Sequence, residues 1–181
     1  MSTVNDFAGT FTIDPAHTEI GFIARHAMVT KVRGAFSSFT GTATTGENLE
    51  GASINVEIDA ASVDTRNADR DGHVRSADFF DVEKFPKITF TSTEVKAKGD
   101  DVLEVTGDLT IKDVTKSITI DFDFDGEATD PWGQTRVGFE GQVTIQRSDF
   151  GLNWNTALDA GGVLVSDKIT LSFDVSAVKN A

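Results

Sequence analysis

Cysteine is missing from all 181 residues, which excludes disulfide bridges and thiolate metal sites and leaves the redox compartment open. Tyrosine is missing too, so the 14 phenylalanines supply most of the aromatic surface, and they carry no hydrogen-bonding group. With only three prolines and no linker-like tract, nothing divides the chain, and its length suits one domain, residues 1–181, with residues 1–9 as a flexible start. No apolar run approaches the ~20 residues of a membrane-spanning helix. The opening residues have neither the basic region nor the apolar core of a secretory signal. From these two absences we expect a cytoplasmic protein without stable membrane insertion. Basic residues are the minority, 16 against 29 acidic, and the net charge of −13 argues against nucleic acid and against anionic membrane surfaces.

What is present is alternation. Ile54, Val56 and Ile58 alternate with Asn55, Glu57 and Asp59, and Ile118, Ile120, Phe122 and Phe124 alternate with Thr119, Asp121, Asp123 and Asp125. Ile169, Leu171, Phe173 and Val175 repeat the pattern near the C-terminus. A period of two with one dry face is the signature of half-buried antiparallel strands. About eight such runs, several near ten residues long and joined by hairpin-sized turns, predict an all-β fold. Ten residues at ~3.3 Å each make a wall ~33 Å tall, which favours an up-and-down barrel over the competing two-sheet sandwich. Phe36 and Phe39 fall on opposite phases, which predicts a bulge between them.

The pattern is interrupted once, between Ser62 and Ser92. Thr65 or Asn67 can cap a helix whose first turn holds Asp69 and Asp71 and whose last turn holds Arg75, as the helix dipole prefers. Phe79, Phe80 and Phe85 follow, and Pro86 forces Phe85 into an extended conformation ahead of the next strand. A short helical insertion thus runs into a strand and brings phenylalanines to a barrel end.

These residues also carry a resemblance. Ser62-Val63-Asp64-Thr65, then Arg70-Asp71-x-His73-Val74-Arg75-Ser76-x-Asp78-Phe79-Phe80-Asp81, then Phe85-Pro86-x-Ile88-Thr89-Phe90-x-Ser92, resemble the central signature of the YceI-like family. Ile13-Asp14-Pro15-Ala16-His17, Arg25-His26-Ala27-Met28, Val32-Arg33-Gly34-x-Phe36 and Arg147-x-Asp149-Phe150-Gly151 agree with it in order. Phe11, where the family often has tryptophan, and the glycine-free turn Lys112–Lys116 depart from it. The resemblance implies an elongated eight-stranded antiparallel lipocalin-like β-barrel. It further implies a non-catalytic role in binding, storing or transporting a long-chain apolar lipid, a polyisoprenoid or isoprenoid quinone. No cofactor is implied beyond that ligand, and by likeness alone a homodimer.

Periodicity leaves a filled and a hollow barrel both open, because inward phenylalanine is ordinarily core. Gly21, Gly107, Gly138 and Gly141, inside strand patterns, favour a hollow one by leaving wall without side chain. The expected wall of the cavity is Ile20, Phe22, Phe36, Phe39, Ile58, Phe79, Phe80, Phe85, Phe90, Leu109, Phe122, Phe139, Gly141, Val143, Trp154 and Phe173. Arg25, His26, Arg70 and His73 are expected at the mouth or the ligand head group, although structural hydrogen bonding explains them equally. Asp14 and His17 are expected to hold a bend. Two other readings stand beside the carrier: a metal-dependent enzyme using His17, His26 and His73, and a solid barrel serving as a protein-interaction module. The histidines have no metal-ligand spacing, and no nucleophile elbow is present.

Overall fold

In a computed structural model of the chain, residues 3–155, 158 and 164–180 are described. The alternating runs become β1 (Gly9–Ile13), β2 (Glu19–His26), β3 (Thr30–Phe36), β4 (Phe39–Thr45), β5 (Ser53–Asp59) and β6 (Val63–Asp64). The longer runs become β7 (Lys87–Lys98), β8 (Val102–Ile111), β9 (Val114–Thr129), β10 (Thr135–Gln146) and β11 (Lys168–Lys179). All pairings between them are antiparallel, and they close into a barrel of eight walls.

Eleven strands make eight walls because three walls are creased. β11 pairs with β1 through Ala177–Lys179 and with β2 through Thr170–Asp174, so β1 and β2 are one wall bent at residues 14–17. Asp14 makes that bend: its carboxylate accepts the Ala16 N–H at 3.0 Å and lies 2.7 Å from His17 Nδ1. It also receives Arg136 Nη1 at 2.7 Å from the start of β10. β3 and β4 form the second creased wall, broken at Ser37 and Ser38 where Phe36 and Phe39 change phase. Ser62, in the crease between β5 and β6, bonds both serine amides, through its carbonyl at 3.2 Å and its hydroxyl at 3.1 Å. Both phenylalanines are therefore buried despite their opposite phases.

The creases separate two ends. At the N-terminal end lie the turns after β4, β7 and β9. Here the described residues 3–9 pack against the barrel end, and residues 1–2 lie outside the described residues. The Val4 N–H bonds the Asp100 carbonyl at 3.0 Å, Val4 is 0% exposed and Phe7 is 6% exposed. Phe7 packs edge-on against Phe11, Phe124 and Phe139, with centroids 5.1–6.1 Å apart. Closing the barrel end hides these rings from water, and two large apolar residues in a short polar segment are enough to seat it.

At the other end α1 (Ala68–Arg75) crosses the opening. Asn67 caps it by accepting the Arg70 N–H at 3.0 Å, with Asp69 and Asp71 in the first turn. The helix has little apolar face of its own, so anchoring falls to polar groups. Buried Asp71 accepts the Thr65 N–H at 2.7 Å and the Thr65 hydroxyl at 2.5 Å. Arg70 donates to the Thr65 carbonyl at 2.7 Å, and Arg75 to the Ala61 and Val63 carbonyls at 2.9 and 3.3 Å. Burial works to raise the Asp71 pKa, but the Thr65 hydroxyl and N–H, with Arg75 and Arg70, hold it below the ordinary carboxylate value.

Candidate ligand-binding site

Between the two ends the bore is open. A cavity of about 650 Å³ runs from Arg25, His26 and α1 to Leu49 and Ala52 beside Phe7 and Phe11. Its wall is almost wholly hydrocarbon, contributed by the inward phase of every long strand: Val95 on β7, Leu103, Val105 and Leu109 on β8, Ile118, Ile120 and Phe122 on β9, Ile169, Leu171, Phe173 and Val175 on β11. The solid-barrel reading is excluded by this space.

Of the four strand glycines, Gly21 borders the cavity, whereas glycine elsewhere keeps the bore open by seating a ring from the next strand. Gly34 pairs with Phe22, and a Cβ on it would lie 2.3 Å from that ring. Gly141 pairs with Phe122 and would meet its ring at 2.8 Å, and Gly107 would meet Phe90 at 2.5 Å. In each case a ring from the neighbouring strand lies across the glycine and forms the lumen wall there. Gly141 is therefore covered by Phe122 and does not line the cavity. Gly138, whose Cβ would meet only Asp125 and a carbonyl, likewise adds no lumen wall.

Of the expected wall, Ile20, Phe22, Phe36, Ile58, Phe79, Phe80, Phe90, Leu109, Phe122, Phe139, Trp154 and Phe173 line the cavity. Phe39, Phe85, Gly141 and Val143 do not. Phe39 is spent in the core beneath the crease, where it pairs with Ile58. Phe85 turns away and takes Lys84 over its ring at 5.5 Å. Val143 stays half-buried between Phe139 and Ile145, both of which reach the lumen.

The charged lining gathers at the helix end. Arg25, His26, Asp69, Arg70, His73 and Arg147 all border the cavity there, whereas the polar lining of the N-terminal end is Thr42, Thr44, Thr45 and Ser53. Arg70 and His73 are committed to the fold. Besides its bond to the Thr65 carbonyl, Arg70 donates Nε to the Thr65 hydroxyl at 2.9 Å. His73 Nε2 lies 2.8 Å from Asp78 Oδ2, and its ring stands edge-on to Trp154 at 4.6 Å and Phe79 at 5.1 Å. Arg25 and His26 are exposed at the rim, and the Arg25 guanidinium makes a long bond to the Val29 carbonyl at 3.3 Å.

Arg147 was legible as a motif residue, but its role was not. It is buried, and its guanidinium is spread over the carbonyls of Leu152, Val165 and Ser166 and over the Phe79 ring at 5.8 Å. Burial pulls its pKa below the ordinary arginine value, with Asp167 opposing. It ties the stretch after β10 to the barrel and sets Trp154 against α1. Part of that connection, 156–157 and 159–163, lies outside the described residues.

The histidines are not assembled for metal. His17 is held by Asp14 at the first crease, His26 is at the rim and His73 is on α1. Among the described residues, the one trio of metal-ligating side chains close enough to share an ion is Asp125, Glu140 and Asp174, exposed on the outer surface.

A barrel with this order of strands, a polar-anchored helix over one end and an oily bore matches known proteins over nearly its whole length. Residues 11–177 match the model of the YceI-like domain. The chain belongs to the YceI-like family. It is 39% identical over 182 residues to protein YceI of Salmonella newport, covering 99% of this chain and 92% of that one. BcnA of Burkholderia cenocepacia superposes with a TM-score of 0.79 at 24% identity, covering 91% of this chain and 98% of that one. A polyisoprenoid binding domain from Saccharophagus degradans superposes with a TM-score of 0.73 at 17% identity, covering 94% and 98%. Both structural likenesses concern the fold of this YceI-like chain.

Proposed function

We propose that the protein is a non-catalytic binder and carrier of a long-chain lipid, a polyisoprenoid or isoprenoid quinone, held with its chain along the bore. The supporting observation is the continuous hydrocarbon lining of a cavity of about 650 Å³. At ~30 Å³ for a group the size of a water molecule, that volume accommodates on the order of twenty chain carbons. Each methylene buried contributes roughly 0.8 kcal/mol, so a long chain is retained with almost no polar contact. The charged rim favours one orientation: tail toward Phe7 and Phe11, head toward Arg25 and His26. The domain from Saccharophagus degradans, described as polyisoprenoid binding, shares the fold and supports this ligand class.

Organic extraction of the purified protein followed by mass spectrometry tests the proposal. Near-stoichiometric recovery of one isoprenoid-tailed lipid is expected. Recovery of none, together with no uptake of an added isoprenoid alcohol from detergent micelles, would refute it.

A further inference from the structure

The chain carries 29 acidic residues, yet none falls between Glu19 and Glu47. Within that stretch Arg25, Lys31 and Arg33 are exposed, and Lys31 and Arg33 form no ion pair among the described residues. Residues 19–36 of it fold as the β2–β3 hairpin at the helix end of the barrel. At its tip the Val29 N–H bonds the His26 carbonyl at 3.2 Å, with Ala27 and Met28 both left-handed at φ 50° and 69°. A turn of this kind ordinarily takes asparagine and glycine. Here it presents Met28, 57% exposed, and Val29, 75% exposed. Arg25 and His26 on the same hairpin border the cavity. Between residues 30 and 34, β3 has β2 on one side and no strand on the other among the described residues.

We propose that the β2–β3 hairpin is a membrane-docking element: Met28 and Val29 enter the interface of an anionic phospholipid bilayer while Arg25, Lys31 and Arg33 contact its headgroups, which sets the cavity rim against the lipid source. An apolar tip flanked by cations is the chemistry that such an interface recognises. The net charge of −13 does not forbid it, because charges are screened over ~8 Å at physiological ionic strength. A twelve-residue strand such as β7 spans ~40 Å, several screening lengths, so the acidic surface beyond the hairpin end contributes little repulsion. Of the acidic groups nearer the site, Asp71 is buried against Thr65 and Asp78 is bonded to His73, whereas Asp64 and Asp69 are exposed and offset part of the attraction. The competing explanation is that Lys31 and Arg33 merely blunt an open strand edge against aggregation.

This inference rests on the carrier reading for its purpose, but docking is measured independently of it. The full chain is floated with vesicles of phosphatidylcholine alone and of phosphatidylcholine mixed with phosphatidylglycerol, and transfer of a dansyl-labelled isoprenoid alcohol from each vesicle is timed. Binding is expected only to the mixed vesicles, with loss in 1 M salt. Lys31→Gln with Arg33→Gln should weaken it about 25-fold, at about fivefold per charge. Met28→Asn with Val29→Ser, both exposed positions, should slow transfer several-fold while leaving uptake from detergent micelles unchanged. Equal binding by the charge variant, no binding by the native protein, or aggregation of the charge variant as its sole defect would overturn the docking role. Failure of micelle uptake by the native protein would instead strike the carrier reading and leave the flotation result standing.

Discussion

The two ends of the barrel are closed by opposite means. The N-terminal end is sealed by Val4 and the Phe7–Phe11–Phe124–Phe139 rings, with no charged side chain among the described residues bordering the cavity there. The helix end is covered by a segment with little apolar face, held by Asp71, Arg70 and Arg75 on backbone groups of residues 61–65. An apolar seal loses its whole contribution when it separates, because its contacts are with rings and aliphatic side chains that water does not replace. A polar anchor that opens into water recovers most of its hydrogen bonds from solvent. On the carrier reading proposed above, the helix end is the one that opens to a ligand, and the rim charges lie where its head group would stay wet.

The largest effect that would break this comparison is at the seal. Phe7→Ala should destabilise the protein by about 3 kcal/mol, read as a lower urea midpoint at unchanged slope. A cost below ~1 kcal/mol would mean that the N-terminal segment is not part of the closure. Next is the anchor. Asp71→Asn keeps the shape but loses a charge-assisted acceptor, which should cost about 2 kcal/mol. The loss should appear in hydrogen exchange of residues 65–76 ahead of the sheet amides, whereas uniform acceleration would show that the helix opens only with global unfolding. In the bore between the ends, Gly34→Val should cost about 1–2 kcal/mol by forcing the Phe22 ring off its seat. It should also shift the extracted lipids toward shorter chains, and an unchanged profile would argue that the ring has another place to lie.

The smallest effect is at the Asp14 crease. Arg136 first, and His17 second, lower the Asp14 pKa to about 2. A carboxylate depressed on folding stabilises the native state above its unfolded pKa of ~3.9, and that stability is lost as pH falls toward 2. Asp14→Asn should therefore lower the unfolding free energy slightly at neutral pH, by less than ~1 kcal/mol for a partly exposed pair. The difference from the native protein should vanish near pH 2, and a gap that persists there would point to the Ala16 N–H bond in place of charge.

Much of the barrel was legible because strand alternation is local: Ile118, Ile120, Phe122 and Phe124 disclose their inward face without reference to any partner. A helix cap at Thr65 or Asn67, of which the fold uses Asn67, and the change of phase between Phe36 and Phe39 were legible for the same reason. The parts that were missed depend on what lies opposite. Phe85 and Phe80 look alike in sequence, yet one faces Lys84 and the other the lumen. Gly141 read as vacant wall until Phe122 was found across it. Phe7 sits four residues before Phe11, a spacing without meaning until the barrel end folds over both. The histidine-based metal reading rested on residue type alone, and the fold sends the three side chains to three different elements.

The order of residues alone determined the period-two faces, the cap and length of the helix, and the scarcity of polar groups on the inward phase, because each depends on neighbours within a few positions. Whether that inward phase met across a filled core or around a lumen was decided only by closure of the walls. Lumen width follows from which glycine stands beneath which ring on the adjoining strand, and that register joins residues far apart in the chain.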